Sequence, residues 1–446
     1  MKNSFLLSVF MFFGAFGYCQ SAEYETITEN QEIIWDMEWA GKDSILYTEL
    51  KGKLKLLDVT NKTVVDVHSF QDLAAENQSG LMGMGLASDF KSSKLIYVAY
   101  CFYGDNFSIL TRISSFTFNP SVPSINNESI LVDSLPSKNA NLGGRLLVDS
   151  ANIFYCLGDI QNENLAQLLD NPNGKILRYN LDGTIPSDNP DPASPIYTYG
   201  HRNPQGICKT ANGNIVISEH GPFSNDEINV LEKGRNFGWP LVGGYKEAAN
   251  EAIYNQYNIK EPILSFTPTI APAGIDFYDG NLYPSLTNSL LVSTLKDKAI
   301  HIFTLNQNQD SVMESKRLDV GPLGRIRDIL VSPDGRVFAS TSNKDVYGEP
   351  NINDDLIVEV FESLFTSIEP QKNNSFKVDV FSSSFTFQSD FHEKINFSVY
   401  DLTGKLVFNG FAMPGEMVSL KNPNAGLFIL KATQNNRGLV QKIIHQ

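Results

Sequence analysis

Gly200–Tyr245 reads GHRNPQGICKTANGNIVISEHGPFSNDEINVLEKGRNFGWPLVGGY, a short apolar run framed by polar, glycine-bearing turns. The Asn212-Gly213 turn leads into Asn214–Ser218, whose β-branched Ile215-Val216-Ile217 run reads as a β-strand. His201, Arg202 and Asn203 cluster beside Pro204, and an acidic, Gly/Pro-rich turn from Glu219 to Glu227 follows the strand. A cation, amide side chains and a Gly221-Pro222 pair with carbonyls able to face a metal thus lie just outside short strands. Loops on a rigid β scaffold build sites in this way.

Outward from this stretch, the same turn-then-strand unit recurs. Lys42-Asp43-Ser44 precedes Ile45-Leu46-Tyr47, Lys91-Ser92-Ser93 precedes Leu95–Val98, and Asp149-Ser150 precedes Ile153-Phe154-Tyr155. After Asn212-Gly213 and Ile215-Val216-Ile217 come Thr287-Asn288 before Leu290-Leu291-Val292 and Pro333-Asp334-Gly335 before Val337-Phe338-Ala339. Six occurrences at roughly 50–75-residue spacing predict one four-stranded blade each, an all-β, six-bladed β-propeller over residues 25–362. Long amphipathic helical patterns are almost absent, which agrees. Periodicity alone leaves an array of β-sandwiches as the competitor.

The 446 residues, 42% of them hydrophobic, suffice for a large core, and the net charge of -15 argues against nucleic acid or an anionic membrane as partner. Residues 1–19 read as a signal peptide: Lys2 in a basic start, an apolar run to Gly17, then a polar boundary, with cleavage expected after Cys19. The bulky Tyr18 disfavours a lipoprotein site at Cys19. No later run approaches a membrane span. Cys101, Cys156 and Cys208 form no disulfide framework or zinc pattern; one disulfide stays open, but buried small hydrophobes are the expectation for Cys156 and Cys208.

Composition shifts after Phe361. Residues 371–446 predict a small β-sandwich with strands at Phe376–Phe381, Ile395–Tyr400, Lys405–Phe408, Leu427–Ala432 and Val440–Ile444. Its elements Val399–Lys405, Gly426–Lys431 and Lys442-Ile443-Ile444 resemble the C-terminal sorting domain of type IX secretion substrates. That resemblance implies passage across an outer membrane by the type IX machinery and a secreted or surface location. A carbohydrate-binding or spacer module is the alternative.

Motifs in order from about Gln78 to Glu359 resemble those of the soluble quinoprotein glucose/sorbosone dehydrogenases, which use pyrroloquinoline quinone (PQQ). They are Gln78-Ser79-Gly80-Leu81-Met82-Gly83, the GHRNPQG…EHGP…DEIN…NFGWP run, Pro268-Thr269-Ile270-Ala271-Pro272, Leu295-Lys296 and Arg325-Ile326-Arg327-Asp328. The resemblance implies that Gln78, Arg202, Asn203, His220, Thr269, Lys296, Arg325 and Arg327 face the cofactor. It further implies that the Gly221 and Pro222 carbonyls bind Ca²⁺. The chemistry is coherent: a planar quinone with three carboxylates needs several separated cations, and Ca²⁺ polarises a quinone oxygen. Singly, Lys296, Arg325 and Arg327 read more readily as surface cations or ion-pair partners.

One position departs from the family. Where its H-x-x-G-R-L element carries the catalytic His, this chain reads Asn141-Leu142-Gly143-Gly144-Arg145-Leu146. Asn can position a hydroxyl but cannot accept its proton near neutral pH. Asp159, or a water it holds, is the expected substitute base, with His220 a contact rather than a base. Asp226 and Glu227 either ligate a second Ca²⁺ or hold backbone amides. His201 reads as structural, and His68, His301, His392 and His445 have no polar company in the sequence. The expected activity is therefore a PQQ- and Ca²⁺-dependent aldose-type dehydrogenase passing electrons to an external acceptor. A catalytically degenerate propeller binding a sugar or partner at the cell surface is the alternative, and a Ca²⁺ lactonase a third reading.

Overall fold

The six turn-then-strand units become the second strands of six antiparallel blades of four strands, one of which gains a fifth, parallel strand. A computed structural model describes residues 19–21, 23–361, 376–380, 384–389, 394–400, 406–419, 426–434 and 437–445. Blade one runs Ile34–Gly41, Ser44–Glu49, Lys53–Asp58, Thr63–Ser69; blade two runs Leu81–Leu86, Leu95–Tyr103, Ile109–Asn119, Ser124–Pro136. Blade three is Gly143–Val148, Asn152–Leu157, Lys175–Asn180, Ile196–Tyr199, and blade four Pro204–Lys209, Ile215–Glu219, Asp226–Val230, Leu264–Phe266. Blade five is Pro272–Tyr278, Ser289–Thr294, Ala299–Leu305, Val312–Asp319. Blade six takes Ile326–Val331, Val337–Thr341 and Ile357–Phe361 from the end of the ring and Glu23–Thr28 from its start, with Glu23 opposite Phe361.

Second strands are buried almost throughout, as in Asn152–Leu157, Ile215–Glu219 and Ser289–Thr294. They therefore read as unbroken apolar runs, the pattern of strands covered on both faces. Outer strands such as Thr63–Ser69 face solvent over most of their length. Six apolar clusters fill the gaps between neighbouring blades, the last joining Ile34, Met37 and Tyr47 of blade one to Leu330, Phe338 and Ile357 of blade six. Each fully buried Leu, Ile or Val there contributes about 1.5–3 kcal/mol.

First strands pack against one another in a closed circle around the axis. Their backbones approach closely: a Cβ on Gly83 would meet the Gly144 carbonyl oxygen at 2.5 Å, and one on Gly206 the Ala273 carbonyl oxygen at 2.2 Å. At the axis the buried Arg145 guanidinium of blade three donates to Asp36 Oδ1 of blade one (2.9 Å) and Asp328 Oδ1 of blade six (2.6 Å). The two carboxylates in turn accept Met84 N and Met37 N. This ion cluster ties blades that are not sequence neighbours.

Cys19–Ser21 forms a short strand parallel to Arg317–Asp319, so Cys19 is the one residue of the expected leader among those described. Cys101, Cys156 and Cys208 are buried and free, which closes the disulfide alternative. Among the described residues no helix is long and apolar enough to cross a membrane.

Residues 363–446 form a second compact unit. It holds one sheet of Phe376–Val380, Ser384–Ser389 and Met417–Ser419, and another of Ile395–Tyr400, Leu406–Ala412, Gly426–Gln434 and Arg437–His445. Phe385, Phe387, Phe397, Val399 and Leu430 share its core, so the two sheets face each other as a sandwich. The strand Ser384–Ser389 was not expected: its serines mask two inward phenylalanines. The Thr403-Gly404 and Asn424-Ala425 turns lie outside the described residues.

Candidate active site

In an antiparallel blade the residue before the first strand and the residue after the second lie at the same edge. Gln78, Asn141, Arg202, Asn203, Thr269 and Arg325 shortly precede first strands, whereas Asp159, His220, Gly221, Pro222 and Lys296 shortly follow second strands. Arg327 is the second residue of a first strand. Every expected site residue therefore sits at one end of the propeller, contributed by five blades.

Contacts join most of them. Arg325 Nη2 and Arg327 Nη2 both donate to Asp345 Oδ2, at 2.8 and 3.0 Å. Burial works to raise the Asp345 pKa, but Arg327 and Arg325 outweigh it and hold the carboxyl below its usual range. Arg327, buried with its guanidinium 4.6 Å over Trp35, is pushed down to about 10 by burial, with Arg325 and Arg145 adding to the push. Its Nη1 reaches Gln205 Oε1 (3.1 Å), and Gln205 Nε2 in turn donates to Asn203 Oδ1 and the Gly143 carbonyl. Arg325 Nη1 donates to the Leu295 carbonyl (3.3 Å), and the exposed Lys296 Nζ to Thr269 Oγ1 (2.6 Å).

Arg202 Nη1 donates to the carbonyls of His220 (3.2 Å) and Gly221 (3.0 Å), and its guanidinium lies 5.5 Å over the Trp239 ring. His220 is pushed down to about 3 by burial, with the positive fields of Arg327, Arg202 and Arg325 adding to the push. Its Nε2 is buried without a partner. Among the described residues neither Arg202 nor Lys296 has a carboxylate partner, and Arg325 and Arg327 share Asp345. Among the described residues, one carboxylate is thus ion-paired with these four cations.

The departure from the family motif has a defined geometry. Asn141 Nδ2 donates to Asp159 Oδ1 at 3.0 Å. Only an N–H can face that carboxylate, so the Asn141 amide oxygen points away from it as an acceptor. Asp159, 2% exposed, also accepts Gln161 N on Oδ1 (2.9 Å) and Trp239 Nε1 on Oδ2 (2.9 Å). Asn141 at φ 51° and Ile160 at φ 50° are both left-handed, and for a β-branched residue this is strained. Backbone strain thus concentrates beside Asp159. Gln78 Oε1 accepts Asn141 N at 3.4 Å.

The acidic turn divides differently from the metal reading. Asp226 Oδ1 accepts Gly221 N (2.8 Å) while Oδ2 accepts Ile270 N and Ala271 N (2.7 Å each). Glu227 accepts Gly244 N and Asn229 Nδ2. Both carboxylates fasten loops, and among the described residues no cluster of three or more His, Cys, Asp or Glu could hold a metal. A Ca²⁺ at this end of the molecule would depend on carbonyls. Pro222 is exposed, and Gly221 O keeps one lone pair beyond the one Arg202 uses.

His201 is fully buried between Thr198 Oγ1 and Glu219 Oε1, and stacks on Phe237. His301, expected to lack polar company, instead bonds Asp297 Oδ2 at 2.8 Å across a chain reversal that the sequence does not display. His68 packs edge-on to Phe70. Three contributors were missed. Asp345 lies outside any recognisable chemical motif. Glu219 and Trp239 lie within the quoted EHGP and NFGWP motifs but were given no role of their own, although Glu219 holds His201 and the Trp239 N–H and ring connect Asp159 with Arg202.

Arg202, Lys296, Arg325, Arg327 and the half-buried His220 thus share one end of a six-bladed propeller. Residues 31–347 match the glucose/sorbosone dehydrogenase family model, and the chain belongs to that family. Residues 377–446 match a secretion system C-terminal sorting domain, which indicates export to the outer surface. An aldose sugar dehydrogenase of Escherichia coli is 30% identical over 339 residues, 70% of this chain and 90% of that protein. Quinoprotein glucose dehydrogenase B of Acinetobacter calcoaceticus is 30% identical over 387 residues, 67% of this chain and 81% of that protein. The PQQ-bound aldose sugar dehydrogenase of Streptomyces coelicolor shares the fold, with TM-score 0.67 at 23% identity over 76% of this chain and 97% of that one.

Proposed function

We propose that this chain is a PQQ- and Ca²⁺-dependent dehydrogenase acting on an aldose-type hydroxyl, exported by the type IX route. The observation that carries the reading is the gathering of Arg202, Lys296, Arg325 and Arg327 at one end of the ring, where among the described residues Asp345 is the one carboxylate ion-paired with any of them. Separated cations of this kind suit a polyanionic guest, and the unpartnered His220 Nε2 and Arg327 Nε leave polar atoms for it. Quinone family members bearing the same motifs, and relatives named for aldose and glucose oxidation, support the choice.

When bound, PQQ supplies an electrophilic carbonyl that accepts hydride, and Ca²⁺ on the Gly221 and Pro222 carbonyls supplies Lewis-acid polarisation. Arg202, Lys296, Arg325 and Arg327 hold carboxylates, with Asp345 fixing the spacing of the last two. Gln78, Asn203 and Thr269 add neutral hydrogen bonds. His220 stays uncharged at every physiological pH, so its ring can only donate or accept a hydrogen bond. On the substrate side, the Asn141 amide oxygen accepts the reacting hydroxyl's hydrogen bond and orients it. The proton must then pass to Asp159 through a water, because Asn141 cannot take it.

A second reading rests on the same pair. Asp159 is buried with three N–H donors, so no proton acceptor at the base position directly meets substrate, and a cofactor-binding but inactive propeller follows. The test is titration of the purified propeller with PQQ and Ca²⁺, followed by dye reduction with a panel of aldoses. Micromolar binding with turnover supports the dehydrogenase, and binding without turnover supports the inactive form. No binding rejects both.

A further inference from the structure

Lys175 opens the third strand of blade three and is fully buried, yet among the described residues no carboxylate touches it. A buried lysine without a counter-ion is unusual, because its ammonium loses hydration and gains no opposite charge. Here the ammonium donates to three carbonyls instead: Leu165 (2.8 Å), Ala166 (3.1 Å) and Asn173 (2.8 Å). All three belong to the connection 158–174 that begins with Asp159.

The same connection is stitched to the Arg202 turn. Ala166 O, one of the Lys175 acceptors, also accepts Gly200 N (3.0 Å). His201 N donates to Gly174 O (3.1 Å), and Asp159 N to Arg202 O (2.8 Å). Gln167 Nε2 reaches Asn236 Oδ1 (3.0 Å) and the Trp239 carbonyl (2.6 Å). Lys175 thus lies where the segments bearing Asp159, Arg202 and Trp239 meet.

We propose that the Lys175 ammonium is a positioning group that fastens the Asp159 connection to the Arg202 turn, and so sets the distance between the hydroxyl-binding Asn141–Asp159 pair and the cation cradle. Three acceptors demand three N–H groups, which an ammonium has and a neutral amine lacks. Burial pushes Lys175 down to about 7, while Asp170 pulls it up. The other titratable or charged side chains on the packed segments are Asp159, Glu163, Tyr199, His201 and Arg202. Asp159 and His201 are engaged, the latter through Glu219. As pH rises through 7 the fastening loses one donor. The consequence for cofactor affinity rests on the proposed function, but the fastening itself does not.

Hydrogen–deuterium exchange on the full chain without cofactor tests it. Wild type is compared with Lys175→Met, each at pH 6 and pH 8 after correction for intrinsic exchange. Segments 158–174 and 200–203 should exchange at least about tenfold faster in the variant, with blades one and five unchanged. Wild-type protection of those segments should fall between pH 6 and 8, and this step should vanish in the variant. PQQ affinity should weaken about tenfold in parallel. Uniform loosening of all blades, or no local change, overturns the proposal. If that variant does not fold, Lys175→Gln is measured instead, and unchanged exchange of segments 158–174 and 200–203 in it overturns the proposal. Local loosening in a protein that never binds PQQ leaves the fastening intact and removes only the functional reading.

Discussion

Asn141→His should convert this site from one that orients a hydroxyl into one that deprotonates it. The backbone at 141 has φ 51°, a region where His, like Asn, is enriched, so the replacement is tolerated locally. An imidazole N–H can take over the 3.0 Å bond that Asn141 gives Asp159, and Asp159 keeps its bonds from Gln161 N and Trp239 Nε1. The second ring nitrogen then faces the substrate with a free lone pair. A positioned general base is worth about 10²–10⁴ in rate, or roughly 3–5 kcal/mol of barrier. Stopped-flow dye reduction at saturating PQQ, Ca²⁺ and aldose should show kcat rising by that factor. The variant should also gain an ascending limb near pH 6.5, where a histidine sheds its proton. Equal PQQ affinity with unchanged kcat and an unchanged pH profile would refute the reasoning, since position 141 would then not face the reacting hydroxyl.

Lys296→Ala removes an exposed cation held only through Thr269, so thermal stability should stay constant while PQQ affinity drops about 10–100-fold by isothermal titration. Arg145→Met leaves Asp36 and Asp328 buried without their shared cation, and urea unfolding should register a loss of about 3–5 kcal/mol. Burial pushes Asp276 up to about 7 and Asp355 to about 6, and raises Asp36 and Glu227 in the same direction. The folded state therefore retains protons that the unfolded chain releases near pH 4. This stabilisation is complete below that pH and is lost as pH rises through about 6–7, so the melting temperature should be several degrees lower at pH 8 than at pH 5. A flat or rising profile contradicts these assignments.

Second strands were legible because burial on both faces leaves a continuous apolar signature, as in Ile153-Phe154-Tyr155 and Leu290-Leu291-Val292. First strands were not, since close backbone approach around the axis demands small residues: Leu81–Leu86 spends two of six positions on glycine. The cation positions were readable from local motifs such as Arg325-Ile326-Arg327. Their organiser, Asp345, sits in a long connection with no motif of its own, and only three-dimensional proximity reveals it. The same holds for Trp239, whose partners Asp159 and Arg202 lie 80 and 37 positions away. Asp226 shows what an acidic turn alone leaves open: the sequence allows a cation or backbone amides, and in the structure amides engage both of its oxygens.

Blade six is completed by Glu23–Thr28 lying against Ile357–Phe361, a pairing between residues more than 300 positions apart. Until the two segments meet, the ring is an open arc with an unpaired edge. Contacts this distant in sequence form slowly, and exposed strand edges invite misassociation in the meantime. Closure of the propeller therefore waits on the last strand of the ring, and a chain cut short before Ile357 would leave Glu23–Thr28 without its partner.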